Sequence, residues 1–153
     1  MPEVGEYPFS LCVCDIVDMT ESRDGYTKCI IFADSLSRWI EAIPLKKDPT
    51  SAEVLDIFLR HIVCRYGCPL VVRSDCGSNL TSKLVQEVYD VCKVRLARST
   101  AYHHSSAGVV ERFNNTLVEM TKATDKGGKD WADHLPFLCF CYNFLCIFDR
   151  SRA

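Results

Sequence analysis

The sequence predicts a mixed α/β fold: a five-stranded sheet, three antiparallel strands first and two parallel strands after them, with helices on both faces. Three observations predict it. The first part of the chain carries apolar residues in short strand-like runs separated by turn residues. After Pro49 the apolar period lengthens to that of a helix, and from there helix-like and strand-like segments alternate.

The opening runs lie near 9–16, 26–33 and 38–45, with a turn signal at Arg23-Asp24-Gly25 between the first two, which gives a meander. Leu55, Phe58, Leu59 and Ile62 then repeat at helical spacing over about 51–64. Thr50 or Ser51 serves as N-cap, and Glu53 is placed to close a capping box. Gly67 and Pro69 end this helix, and Leu70 to Arg73 makes a short buried strand. Leu84, Val85, Val88 and Cys92 describe a second helix, and Val94 to Ala97 a fifth strand. After a polar loop over 98–107, Val110, Phe113, Leu117 and Met120 mark a third helix. Lys126-Gly-Gly-Lys129 separates it from a last helix bearing Trp131, Leu135, Leu138 and Tyr142, which Pro136 is expected to kink.

With 153 residues, 48% of them hydrophobic, the chain fits one domain with a real core, placed at 1–147 with a short tail at 148–153. The net charge of −2 excludes the overall basic balance of many nucleic-acid binders, so contact with a polyanion must be local or metal-assisted. No apolar stretch approaches the ~20 residues of a membrane span. The start, Met1 to Glu6, has neither a basic leader nor an apolar signal core, so the expectation is a soluble protein of the nucleus or cytoplasm. The 10 cysteines fall in apolar segments and read as small core residues, not as a disulfide framework or a zinc module.

Chemistry is concentrated in three acids. Asp15 closes the apolar run Phe9 to Cys14, Asp75 stands just past the fourth strand, and Glu111 lies in the first turn of the third helix, facing away from its apolar stripe. Two neighbouring strand ends and a helix thus direct carboxylates toward one place. Such a group repels itself unless cations sit among its members. Asp18 is the alternative first acid, and Asp34, within Asp34-Ser-Leu-Ser37, is read as a turn or strand cap.

Around these acids the segments Ser74-Asp75-Cys-Gly-Ser-Asn79, Ser99-Thr-Ala-Tyr102-His103 and Gly108-Val-Val-Glu111-Arg112-Phe113-Asn114-Asn115 resemble the catalytic core of retroviral and LTR-retrotransposon integrases, the gypsy-type branch most of all. Thirty-five residues separate Asp75 from Glu111, which is that family's spacing. Further pieces of the likeness are Asp34 to Ala42, Arg65 to Pro69, Trp131, Leu135-Pro136 and Tyr142-Asn143. The resemblance implies an RNase H-like fold and a polynucleotidyl transferase with Asp15, Asp75 and Glu111 as catalytic residues and metal ligands. It implies two magnesium (Mg2+) or manganese ions, DNA ends and target DNA as substrates, and a homodimer. Hard oxygen ligands suit such an ion pair.

Asn79, Tyr102, His103, Arg112, Asn114 and Asn115 are candidate DNA contacts, since their donors and one aromatic ring flank the acids in the sequence. Where the family has proline after the first histidine this chain has His104, and Cys76 replaces a common glutamine. The integrases' flanking zinc-binding and DNA-binding domains are not found here, so the expectation is a bare, truncated core. A catalytically inactive or domesticated fragment that binds DNA or self-associates is the alternative.

Overall fold

The computed structural model describes residues 5–74, 82–98, 112–117, 119 and 130–150. Strands β1 (Leu11–Asp18), β2 (Lys28–Asp34) and β3 (Ile40–Leu45) form the antiparallel meander. Strands β4 (Val71–Ser74) and β5 (Arg95–Arg98) run parallel to β1, giving a five-stranded sheet in the order β3-β2-β1-β4-β5. The β1–β2 turn is pinned where Gly25, at φ +80°, donates to the Ser22 carbonyl at 3.0 Å, a backbone conformation that favours glycine.

The sheet is buried on both sides, and strict alternation decides which side each residue serves. Leu11, Val13, Cys29, Ile31 and Ala33 join one core cluster with Phe113, Leu117, Trp131 and Leu135. Cys12, Cys14, Ile30 and Phe32 join the other, with Val54, Phe58, Ile62, Val85 and Tyr89. Strands covered on both faces read as continuous apolar runs, which is why β1 and β2 lack a polar alternation.

On the second face lies α1 (Ser51–Phe58), which runs on through a π-helical segment, Leu59–Val63, and a last turn, Cys64–Tyr66. Its capping box forms between Thr50 and Glu53. Gly67 ends the rod at φ +92°. Helix α2 (Lys83–Val91), capped by Ser82, packs beside it. Its buried residues are Val85 and Tyr89, and Leu84 is exposed. Of the expected stripe, Val85 is buried and Val88 and Cys92 pack against the same core, whereas Leu84 is exposed and Tyr89, the i, i+4 partner of Val85, takes its place.

On the first face, residues 112–117 are helical and are called α3; Phe113 and Leu117 are buried as their spacing predicts. Helix α4 (Trp131–Arg150) packs on β3. It continues as one element through Pro136, whose missing N–H lies on an exposed side. Asn143 ties it to the sheet edge: its side-chain oxygen accepts from the Ile40 N–H at 2.8 Å and its amide donates to the Ile40 carbonyl at 2.9 Å.

Candidate active site at the ends of the central strands

Strands β1 and β4 are adjacent and parallel, with Cys14 opposite Ser74, so β4 ends at the level where Asp15 follows along β1. Alternation puts Asp15 on the face of Val13, the face covered by α3 and α4. Its carboxylate is half-buried. One oxygen, Oδ1, accepts the N–H of Ile16 at 2.9 Å, which fixes the rotation of the group. The other, Oδ2, lies 3.5 Å from the Asn114 amide nitrogen on α3, at the outer limit of a hydrogen bond.

Asn114 links α3 to the acid, and its own carbonyl oxygen Oδ1 is buried with no hydrogen-bond partner among the described residues. A buried acceptor without a donor is costly, and a cation or an ordered water at that position satisfies it. Asn115 and Arg112 differ from Asn114: both are exposed, and the Arg112 carbonyl accepts from the Thr116 hydroxyl at 2.9 Å. Asp75, Asn79, Tyr102, His103 and Glu111 lie outside the described residues. Among the described residues no group of three or more His, Cys, Asp and Glu is arranged to hold a metal, and Asp15 is the one candidate acid they include.

Asp18, the alternative first acid, and Asp34, read as a cap, have different surroundings. Asp18 projects into solvent with its side chain 85% exposed and pairs with Lys28. Asp34 is fully buried; its Oδ1 accepts the Phe9 N–H at 2.9 Å and its Oδ2 the Ser37 N–H at 2.7 Å, a strand cap as its segment predicts.

Arg73 is the charged residue that pattern reading passed over. It is 2% exposed, opposite Val13 and Ala97, and so shares the sheet face of Asp15. The signal was an arginine inside the apolar strand Val71 to Ser74, which the apolar count absorbed.

Cys12, Cys14, Cys29 and Cys139 are buried as expected, and burial pushes the Cys12 and Cys29 thiols well up, which leaves them protonated and inert. Cys64 and Cys68 depart from the expectation: both are exposed, the first on the last turn of the α1 rod and the second in the loop after Gly67. Their segment is apolar in composition, but the side of the rod on which Cys64 falls faces water.

A family model described as the integrase core domain matches residues 5–104. The Gag-Pol polyprotein of avian reticuloendotheliosis virus is 33% identical over 123 residues, covering 80% of this chain and 11% of that protein. That of feline leukemia virus is 36% identical over 129 residues, covering 81% of this chain and 8% of the polyprotein. The chain therefore spans about a tenth of the length of the curated relatives it matches. Among solved structures, the catalytic core domain of BIV integrase superposes with a TM-score of 0.70 at 19% identity, covering 86% of this chain and 81% of that one. The HTLV-2 integrase catalytic core domain in complex with magnesium, in a dimeric form, gives 0.61 at 22% identity, covering 78% and 74%. An intasome of simian T-cell lymphotropic virus in complex with a PP2A regulatory subunit gives 0.67 at 23%, covering 79% and 42%. These likenesses show the RNase H-like fold of integrase catalytic cores.

Proposed function

The chain belongs to the integrase core domain family, and from that premise we propose that its residues 1–147 form a metal-dependent DNA integrase core, followed by a short tail. Asp15, Asp75 and Glu111 are its catalytic acids. The observation that carries this reading is the contact of Asn114 with Asp15, because it ties the helix that follows position 111 to the first acid, which lies within β1 and not at its end as expected. The pairing of Cys14 with Ser74 supports it from the other side, since Asp75 is the next residue after Ser74.

The donor set fits hard divalent cations: the half-buried Asp15 carboxylate and a buried amide oxygen lacking a donor among the described residues. When bound, two magnesium or manganese ions supply activation of the attacking oxygen and stabilisation of the leaving oxygen in an in-line displacement at phosphorus. The protein's own part is placement. The Ile16 N–H holds one oxygen of Asp15, which limits the rotation of the carboxylate. Asn114 meets the other oxygen from α3. Water is the first nucleophile, at a phosphodiester near a DNA 3′ end, and the freed 3′ hydroxyl the second, at target DNA. Asn79, Tyr102, His103, Arg112, Asn114 and Asn115 contact the DNA backbone or ends. The site of action is the nucleus or cytoplasm; no helix among the described residues is long and apolar enough to cross a membrane.

A strand-nicking and strand-transfer assay on duplex oligonucleotides with magnesium or manganese tests the reading. Activity in the wild type and its loss in Asp15→Asn, Asp75→Asn and Glu111→Gln, by about 10³-fold or some 4 kcal/mol of barrier, is the expected outcome. Equal activity in all four proteins sinks the assignment. DNA binding without any metal-dependent cleavage selects the inactive, domesticated fragment instead.

A homodimer is the partner reading that the surface favours. Phe137, Phe140, Phe144 and Leu145 are exposed on α4, and the Phe140 and Phe144 rings stack with centroids 6.0 Å apart. A face of this kind calls for cover, and the HTLV-2 core is described in a dimeric form. Sedimentation velocity is expected to show a dimer at micromolar concentration; a monomer there removes this part of the reading.

A further inference from the structure

The loop that feeds β4 and the residue that caps α2 bring two cysteines together. The Cys68 sulfur lies 3.8 Å from the Cys92 carbonyl oxygen, which seats one cysteine side chain against the backbone of the other. The backbone between them is already registered: the Arg95 N–H donates to the Leu70 carbonyl at 2.9 Å, and Val71 pairs with Arg95. The two cysteines therefore approach from outside the same ladder, on segments whose spacing the sheet fixes. Their exposure differs usefully: Cys68 is open to solvent and Cys92 is half-buried.

We propose that Cys68 and Cys92 form a reversible disulfide that staples the start of β4 to the end of α2. The oxidant is a small disulfide of the glutathione class. The exposed Cys68 sulfur, as thiolate, attacks one sulfur of the oxidant; a new S–S bond forms, the oxidant's bond breaks, and the released thiolate takes up a proton. The Cys92 thiolate then attacks the Cys68 sulfur and expels the second small thiol. Two protein thiols are oxidised and one disulfide is reduced to two thiols, so atoms and electrons balance. The segment between the cysteines carries Asp75, but the inference does not depend on the catalytic reading.

A bridge here closes a chain segment in the unfolded state at little native cost, because the folded backbone already holds the partners close. Trypsin makes the test clean, since residues 66–73 contain Cys68 alone and residues 84–93 contain Cys92 alone. The full chain is incubated with oxidised glutathione, its remaining thiols are alkylated, and the digest is read by mass spectrometry. The expected result is a linked 66–73/84–93 species that dithiothreitol splits and that Cys68→Ser and Cys92→Ser lack. The oxidised wild type should melt about 5–10 °C above its reduced form, and Cys68→Ser should show no such gain. Recovery of Cys68 only as a glutathione adduct, or linked to Cys64 in residues 61–65, overturns the proposal, as does a bridged protein that melts no higher than the reduced one.

Discussion

Asp15 stands at the middle of the β1–β2 pair and Asp34 at one end of it, and the protein treats them differently. Asp34 is opposite Cys12, fully buried, with each oxygen taken by a backbone N–H. Asp15 is opposite Ile31, half-buried, with one oxygen on its neighbour's N–H and the other facing an amide at the limit of bonding. A carboxylate offers about four lone-pair directions. Those of Asp34 are engaged by a turn and a preceding segment, so it serves the fold. Asp15 is only half-buried and is met from α3 by an amide at long range, and that setting suits an acid placed for chemistry.

The largest effect on stability is expected at the buried end. Asp34→Ala removes two charge-assisted hydrogen bonds and strands the N–H groups of Phe9 and Ser37, and should cost about 3 kcal/mol, read as a fall in the urea midpoint at constant m-value. Asp15→Asn keeps the shape and an acceptor for Ile16, and should shift the midpoint by less than about 1 kcal/mol while abolishing cleavage. Equal destabilisation by the two changes would erase the distinction between them.

Asn114 sharpens the contrast at an intermediate scale. At 3.5 Å its bond to Asp15 contributes little to folding, but it aims the carboxylate from α3. Asn114→Ala should slow strand transfer by about 10–100-fold, with the midpoint of unfolding moved by less than about 1 kcal/mol. A variant as active as the wild type would show that Ile16 alone positions the acid.

How far the sequence reached follows from the same distinction. The succession of strands, the Thr50–Glu53 box, the buried pair Phe113 and Leu117 and the capping role of Asp34 were legible because each rests on local spacing or on hydrogen bonds within a few residues. Leu84 was misplaced because a stripe of i, i+4 residues can be drawn through 84 and 88 as well as through 85 and 89; only packing against Phe58, whose ring meets Tyr89 at 5.5 Å, settles the phase. Arg73 hid inside an apolar strand, where periodicity registers position and ignores charge. The separate settings of Asn114 and Asn115 were not legible either. Helical geometry turns successive residues by about 100°, so only one of the pair can face Asp15, and which one depends on how α3 lies on the sheet.

The smallest effect is expected at Asp18, and it bears directly on the choice of acid. Asp18 ends β1 and would serve as well as Asp15 if a strand-end carboxylate were the sole requirement. Alternation puts it on the other side of the strand from Asp15, and its side chain is 85% exposed beside Lys28, where water screens the pair. Asp18→Asn should therefore leave cleavage within about 2-fold of the wild type and the melting temperature within about 2 °C. The pairing with Lys28 gives the variant one way to disturb the structure, through the β1–β2 edge, and a melting curve would reveal it. Loss of cleavage without a change in melting would instead move the first catalytic acid from Asp15 to Asp18, and the contact with Asn114 would then be a packing detail of α3.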